Sequence, residues 1–256
     1  MCIDLFSIGG FTVHGYGLMI GLGFVAAIYL GCFLAKKVGL SADFFTSVAI
    51  RVLIFGFMGG KLLFVIVNFS LFLSDPLGAL GSEGFVVYGG IITGILTIFV
   101  SCKLKKVSFI EYMDMMSPAV LVNQGFGRIG CFMAGCCHGR ETDSWIGVVF
   151  PEGCLAPAGV KLLPTQLFSA GFDLLLAGIL VYVLLKKKKT GMVSGLYLMC
   201  YGVGRFIIEI FRGDLDRGTV GVLSTSQFIS IFMVIFAAGY IYYVNKHATR
   251  STDSIR

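Results

Sequence analysis

The chain has 256 residues, 57% of them apolar and 13% charged, with a net charge of +6 and a mean hydropathy of +0.91. Disorder is excluded, since it needs low hydrophobicity and high charge. An ordinary soluble globule is excluded too, because its surface draws on roughly 25% charged residues. The basic residues sit in short clusters between apolar runs, which reads as membrane topology and not as a nucleic-acid footprint.

Uncharged stretches run Leu5–Ala35, Gly84–Cys102 and Gly218–Asn245, each at or beyond the roughly 18 residues that suggest a membrane span. The N-terminus shows no basic segment before its apolar stretch and does not read as a cleaved signal peptide. Seven spans can be drawn in chain order, at 16–36, 45–68, 85–102, 114–134, 164–185, 192–211 and 222–244. Helix is the expected form, since an open sheet leaves backbone groups unpaired in lipid. The expected fold is therefore an all-α integral membrane protein, one polytopic domain over 1–256 with seven transmembrane helices.

With alternating crossings, Lys36, Lys37, Lys103, Lys105, Lys106, Lys186–Lys189, Lys246, Arg250 and Arg256 fall on one side. Those twelve basic residues face only Arg140, Lys161, Arg212 and Arg217 on the other. The positive-inside rule puts the twelve in the cytoplasm, with the N-terminus outside and the C-terminus inside. Small-xxx-small spacing at Gly17/Gly21, Gly56/Gly60, Gly90/Gly94 and Gly191/Gly195 reads as close helix packing.

Ionisable groups inside a span cost several kcal/mol unless paired or wet, so each is a functional candidate. Arg51 lies near a cytoplasmic helix end and can snorkel. Lys61, Arg128 and Arg205 lie toward the outer half, as do Tyr16, Tyr88 and His14. Glu209, one turn after Arg205, is placed to pair with it. Arg128 either meets Asp173 or receives an anion. A phosphate suits its planar fork bidentately, and a phospholipid headgroup is the phosphate available at that depth.

The glycine-rich run from Gly125 to Arg140 permits close backbone approach beside Arg128. It also holds Cys131, Cys136, Cys137 and His138. Their spacing is not the paired C-x2-C of a structural zinc site, and adjacent cysteines are poorly placed to share one ion. Unmodified thiols are the simplest reading, with a disulfide, for instance to Cys154, and a metal site as alternatives; no metal or other cofactor is expected.

These residues together resemble the bacterial prolipoprotein diacylglyceryl transferase family. His14-Gly15-Tyr16-Gly17-Leu18-Met19 is similar to its H-x-Y-G-L-M stretch, Gly59-Gly60-Lys61 to G-A-R, and Tyr88-Gly89-Gly90 to H-G-G. Gly127-Arg128-Ile129-Gly130 resembles the start of G-R-x-G-N-F-x-N-x-E-x-x-G, and Pro164-Thr165-Gln166-Leu167-Phe168 resembles P-S-Q-L-Y. Tyr201, Gly202, Arg205, Glu209 and Arg212 match Y-G-x-x-R-x-x-x-E-x-x-R.

The resemblance implies a multi-pass enzyme of the bacterial cytoplasmic membrane, with its active site toward the outer leaflet. It would move the diacylglyceryl group of phosphatidylglycerol onto the lipobox cysteine thiol of a prolipoprotein signal peptide, releasing glycerol phosphate. No nucleic acid would take part. Carried over position by position, Arg205, Tyr88, Tyr16 and Glu209 become the catalytic candidates. Arg128, Lys61, Gly127, Gly130, Tyr201 and Gln166 become the phospholipid-binding candidates.

The chain departs from the family pattern where Tyr88 replaces a histidine and where Cys131, Ala134 and Cys136 replace N, N and E. A histidine near neutral pKa is a ready base, whereas tyrosine ionises near 10. Three other readings follow: a paralogue that keeps the lipid site and changes the acceptor, a membrane thiol or metal protein, and an anion transporter. Inverted repeats would favour the transporter, and none is visible.

Overall fold

In the computed structural model, residues 4–8, 11–82, 84–186, 189–213 and 218–247 are described. Lys187, Lys188, Arg217, Arg250 and Arg256, which contribute to the charge asymmetry, lie outside them. Seven long helices coincide with the seven drawn segments: α1 Gly15–Val38, α2 Ala42–Val67, α5 Val87–Lys105, α6 Phe109–Ala134, α7 Thr165–Leu185, α8 Met192–Ile210 and α9 Thr225–His247. Six of them are long and apolar enough to cross a membrane by length and composition, and the chain is an integral membrane protein of helical type. The exception is α6, which carries Pro118, Asn123, Gln124 and Arg128 and is less apolar than the rest. The helices expose large apolar side chains such as Tyr29, Phe57 and Leu175, as a hydrocarbon solvent allows.

The expected loop over 70–84 instead contains two short helices, α3 Phe69–Ser74 and α4 Pro76–Gly81. Asp75 caps α4, accepting a hydrogen bond from the Gly78 amide at 2.9 Å, with Pro76 in its favoured first-turn place. Among the described residues the named strands form three antiparallel pairs: β1 Asp4–Ile8 with β2 Phe11–His14, β3 Val148–Val149 with β4 Lys161–Leu162, and β5 Thr219–Val220 with β6 Leu223–Ser224. Such short pairs lie in the connections and leave the helical character intact.

The chain divides into two compact units, residues 39–112 and residues 1–38 with 113–256. In the first, α2 and α5 approach through glycine. A Cβ at Gly90 would stand 3.0 Å from the Gly56 carbonyl, and Thr93 packs on Gly59 while its hydroxyl donates to the Gly89 carbonyl at 2.8 Å. The expected packing role of Gly56 and Gly90 therefore holds, while Gly60 makes room for the Phe85 ring just before α5. Gly17 and Gly21 correct that expectation, because nothing lies within 4 Å of a Cβ built at either.

In the second unit, Leu121 of α6, Leu176, Ala177 and Leu180 of α7, and Val193 of α8 form a buried core. Glycines again set the spacing: Gly204 of α8 meets the Phe172 ring, and Gly195 meets Ile241 of α9 at 2.7 Å from an added Cβ. Gly191, by contrast, starts α8 with φ 91° and offers no side-chain cap. The buried Asp114 of α6 supplies one across the bundle. Its carboxylate accepts from the Gly191 amide at 2.6 Å and from the Ser194 amide and hydroxyl at 2.7 Å each. A carboxylate on unsatisfied amides at a helix N-terminus answers both hydrogen bonding and the helix dipole.

Candidate active site

In the unit formed by 1–38 and 113–256, polar residues line up by helical period on neighbouring helices. Tyr197, Tyr201, Arg205 and Glu209 recur every fourth residue and form one stripe along α8. Gln124, Arg128 and Cys131 form a corresponding stripe on α6. The Tyr197 and Tyr201 rings stack with centroids 5.7 Å apart. Tyr201 lies within electrostatic reach of both Arg128 and Arg205.

The two arginines differ in what already holds them. Arg205 Nη2 lies 2.7 Å from Glu209 Oε2 and donates to the Ser226 hydroxyl of α9 at 2.9 Å. Arg212 brings a second cation to the same carboxylate oxygen at 3.9 Å. Arg128 feels Asp173 of α7, Cys131 and Cys137 electrostatically, but forms no ion pair within 4.0 Å among the described residues. Asp173 is buried and faces both arginines. The pairing of Arg128 with Asp173 is thus a neighbourhood without a direct bridge, and the guanidinium keeps donors for an anion.

Tyr16 opens α1 against this place. A Cβ at Gly130 would lie 3.1 Å from the Tyr16 ring and 3.2 Å from Met19 Cβ, so glycine there lets α1 and α6 close up. Gly127 has open space in place of a side chain, with nothing within 4 Å of an added Cβ. Tyr16 interacts electrostatically with Arg128 and with Cys131, Cys136 and Cys137. Gln166, at the start of α7, is fully buried and donates to the Cys136 carbonyl at 2.8 Å. Beside it the Thr165 hydroxyl donates to the Cys137 carbonyl at 2.9 Å. Gln166 therefore holds the turn that follows α6, a role the motif alone does not reveal.

That turn is tied down at several points. Gly139 bonds Leu163, Arg140 bonds Phe211, and Gly213 bonds His138 through the backbone, fastening the end of α8 to the loop after α6. The sulfurs of Cys131, Cys136 and Cys137 lie within 4.8 Å of one another. Adjacent Cys136 and Cys137 thus bring their sulfurs to one place with that of Cys131, although their spacing is not that of a paired zinc motif. The Cys136 thiol is pushed up in pKa by its hydrogen bond to Cys131, by that to Cys137, and by burial. No disulfide joins Cys136 to Cys154.

Two sequence candidates belong to the unit 39–112. Lys61 of α2 donates to the Ser82 carbonyl at 2.6 Å, the Ser82 hydroxyl at 3.2 Å and the Gly84 carbonyl at 3.2 Å, fastening the entry to α5. Tyr88 stands half-exposed in the first turn of α5. A cavity of about 1020 Å³ runs along this unit, lined mainly by apolar side chains such as Phe55, Leu62, Leu96 and Leu104, with Lys61 and Arg51 among its few cations. Sequence reasoning missed Asp114, Tyr197 and Ser226. Asp114 stood at the drawn end of a span, while a tyrosine and a serine carry no charge to flag them.

A family model described as prolipoprotein diacylglyceryl transferase matches residues 4–243. The chain belongs to this family. It is 46% identical over 233 residues to a phosphatidylglycerol–prolipoprotein diacylglyceryl transferase of Clostridium tetani, covering 90% of this chain and 93% of that protein. A second such transferase, from Clostridium perfringens, is 43% identical over 249 residues, 96% of each chain. One from Finegoldia magna is 31% identical over 235 residues, 90% of each. The paired arginine stripes thus occur within a diacylglyceryl transferase scaffold.

Proposed function

We propose that this protein is a phosphatidylglycerol–prolipoprotein diacylglyceryl transferase. Arg128 carries the reading: a guanidinium within the helical bundle, beside Arg205 and Tyr201, without an ion pair of its own among the described residues. Two cations around one place suit a phosphodiester whose charge grows during reaction. The substrate thiol attacks the glycerol carbon that bears the phosphate. A carbon–sulfur bond forms, the carbon–oxygen bond breaks with its electron pair on oxygen, and the thiol proton leaves. Glycerol phosphate departs with one more negative charge than the diester, or takes up the released proton.

In this scheme Arg128 and Arg205 hold the phosphate, and Glu209 orients Arg205 through their 2.7 Å contact. Gly127 and Gly130 keep backbone approach open, and Tyr201 joins the phospholipid site within electrostatic reach of both guanidiniums. Tyr16 and Tyr88 donate hydrogen bonds or relay the proton, and Lys61 and Gln166 shape the phospholipid site. The protein crosses the bacterial cytoplasmic membrane seven times, α6 included, with its N-terminus outside, its C-terminus in the cytoplasm and its site toward the outer leaflet. The prolipoprotein signal peptide then presents its cysteine at that depth.

Incubation of the purified protein with labelled phosphatidylglycerol and a lipobox peptide tests the reading. Thioether product and glycerol phosphate in equal amounts are expected. Glycerol phosphate release with another thiol but not with the lipobox peptide would show a changed acceptor. No release with either would overturn the assignment.

A further inference from the structure

Beyond the transferase reading, we propose that Cys131, Cys136 and Cys137 form a binding site for a thiophilic d10 cation, with Zn²⁺ as the ion that fits best. The three sulfurs lie within 4.8 Å of one another. Two sulfurs on one tetrahedral zinc stand about 3.8 Å apart, given Zn–S bonds of about 2.3 Å. Closing the trio on an ion therefore asks for inward movement of about 1 Å or less per pair, within the reach of a cysteine rotamer.

Adjacent residues ordinarily direct their side chains apart, and the backbone here is bent to prevent that. Gly135 has φ 76° and Cys137 has φ 62°, one of two non-glycine residues in the left-handed region among those described. An L side chain is disfavoured there, and such strain persists only where the surroundings impose it, commonly at functional sites. The surroundings are on hand. Thr165 and Gln166 take the carbonyls of Cys137 and Cys136 at 2.9 and 2.8 Å. The Cys136 amide returns to the Cys131 carbonyl at 3.1 Å, and the Gly135 amide to Phe132 at 3.2 Å. A preformed cage on rigid helix ends is what a metal site requires.

Charge favours the same conclusion. Three thiols give up three protons to one Zn²⁺, leaving a complex of net charge −1, and the protons pass to solvent. Arg128, which interacts electrostatically with Cys131 and Cys137, supplies the compensating positive charge. Cys136 and Cys137 are only partly buried, so an ion has a way in, whereas Cys131 is buried at the back. His138 is not part of the trio; its Nδ1 lies 3.0 Å from the Gly139 carbonyl oxygen.

The test uses the full-length protein in detergent, kept reduced with a phosphine, without lipid or peptide, so its outcome is independent of transfer activity. Zn²⁺ is titrated against a chromophoric chelator, and metal is counted after gel filtration. One zinc per chain is expected. Cys131→Ser and Cys136→Ser should each weaken binding at least tenfold, while Cys154→Ser and Cys200→Ser leave it unchanged. Wild-type protein that retains no zinc through gel filtration would overturn the proposal, whatever the variants do. Stoichiometric zinc in a Cys131→Ser, Cys136→Ser double variant would overturn it equally.

Discussion

Replacing Arg128 by lysine keeps the charge and removes the fork, so it isolates what the guanidinium geometry contributes. Arg205 already spends one nitrogen on Glu209 at 2.7 Å and on Ser226 at 2.9 Å. Arg128 has no such ion pair among the described residues, so its two parallel donors are the larger reserve for a phosphate. A lysine ammonium makes one directed bond where arginine makes two. Loss of one preorganised donor to developing charge costs about 10²–10³ in rate, or about 3–4 kcal/mol. Arg128→Lys should therefore lower turnover of labelled phosphatidylglycerol into thioether product by about two orders of magnitude. Membrane insertion and gel-filtration behaviour should match wild type, because the charge and most of the side chain remain. Much of the loss should fall on kcat, since the phosphate gains charge only as the carbon–oxygen bond breaks. Near wild-type turnover in Arg128→Lys would refute the phosphate role.

Other outcomes follow from the same geometry. Glu209→Gln should reduce transfer by about tenfold or more, in line with the roughly 1.5–3 kcal/mol of a charge-assisted bond, and an unchanged rate would show that Arg205 needs no orienting carboxylate. Asp114→Ala should lower stability by about 3 kcal/mol, because it strands the Gly191 and Ser194 amides in the bundle; chemical denaturation in detergent measures it, and Asp114→Asn should be milder. Gly204→Val should destabilise as well, since even a Cβ there meets the Phe172 ring, while Gly17→Ala should be tolerated. A cysteine placed at Lys186 should resist a membrane-impermeant reagent added from outside; labelling there would overturn the proposed orientation.

The helices were legible because lipid demands them: seven apolar segments appear as seven long helices, with ends within a few residues of those drawn. The Arg205–Glu209 pair was legible for the same kind of reason, since four residues make one helical turn. What stayed hidden depended on contacts across helices. Asp114 caps α8 from α6, some 77 residues earlier in the chain, and no local pattern announces it. The three hydrogen bonds by which Lys61 fastens the Ser82–Gly84 turn were equally hidden, since its partners lie more than twenty residues on. The convergence of the three sulfurs was hidden too, because spacing rules assume ordinary backbone and Cys137 has φ 62°.

The departures at 131, 134 and 136 change what surrounds Arg128. A signature that reads N, N and E at these places would set amides and a carboxylate next to Arg128. In this chain two of the three positions are thiols, hydrogen-bonded to each other and to Cys137. A carboxylate beside the guanidinium would hold it by charge and would compete with an incoming phosphate. In the metal-free protein uncharged thiols do neither, and Arg128 keeps Tyr201 and Asp173 among its electrostatic neighbours. Without metal, the loss of the signature carboxylate therefore raises the positive potential at the proposed phosphate site. If so, restoring it as Cys136→Glu should weaken phosphatidylglycerol binding, raising KM more than it lowers kcat. A Cys136→Glu protein with lower KM would show instead that Arg128 needs a carboxylate to be held in place.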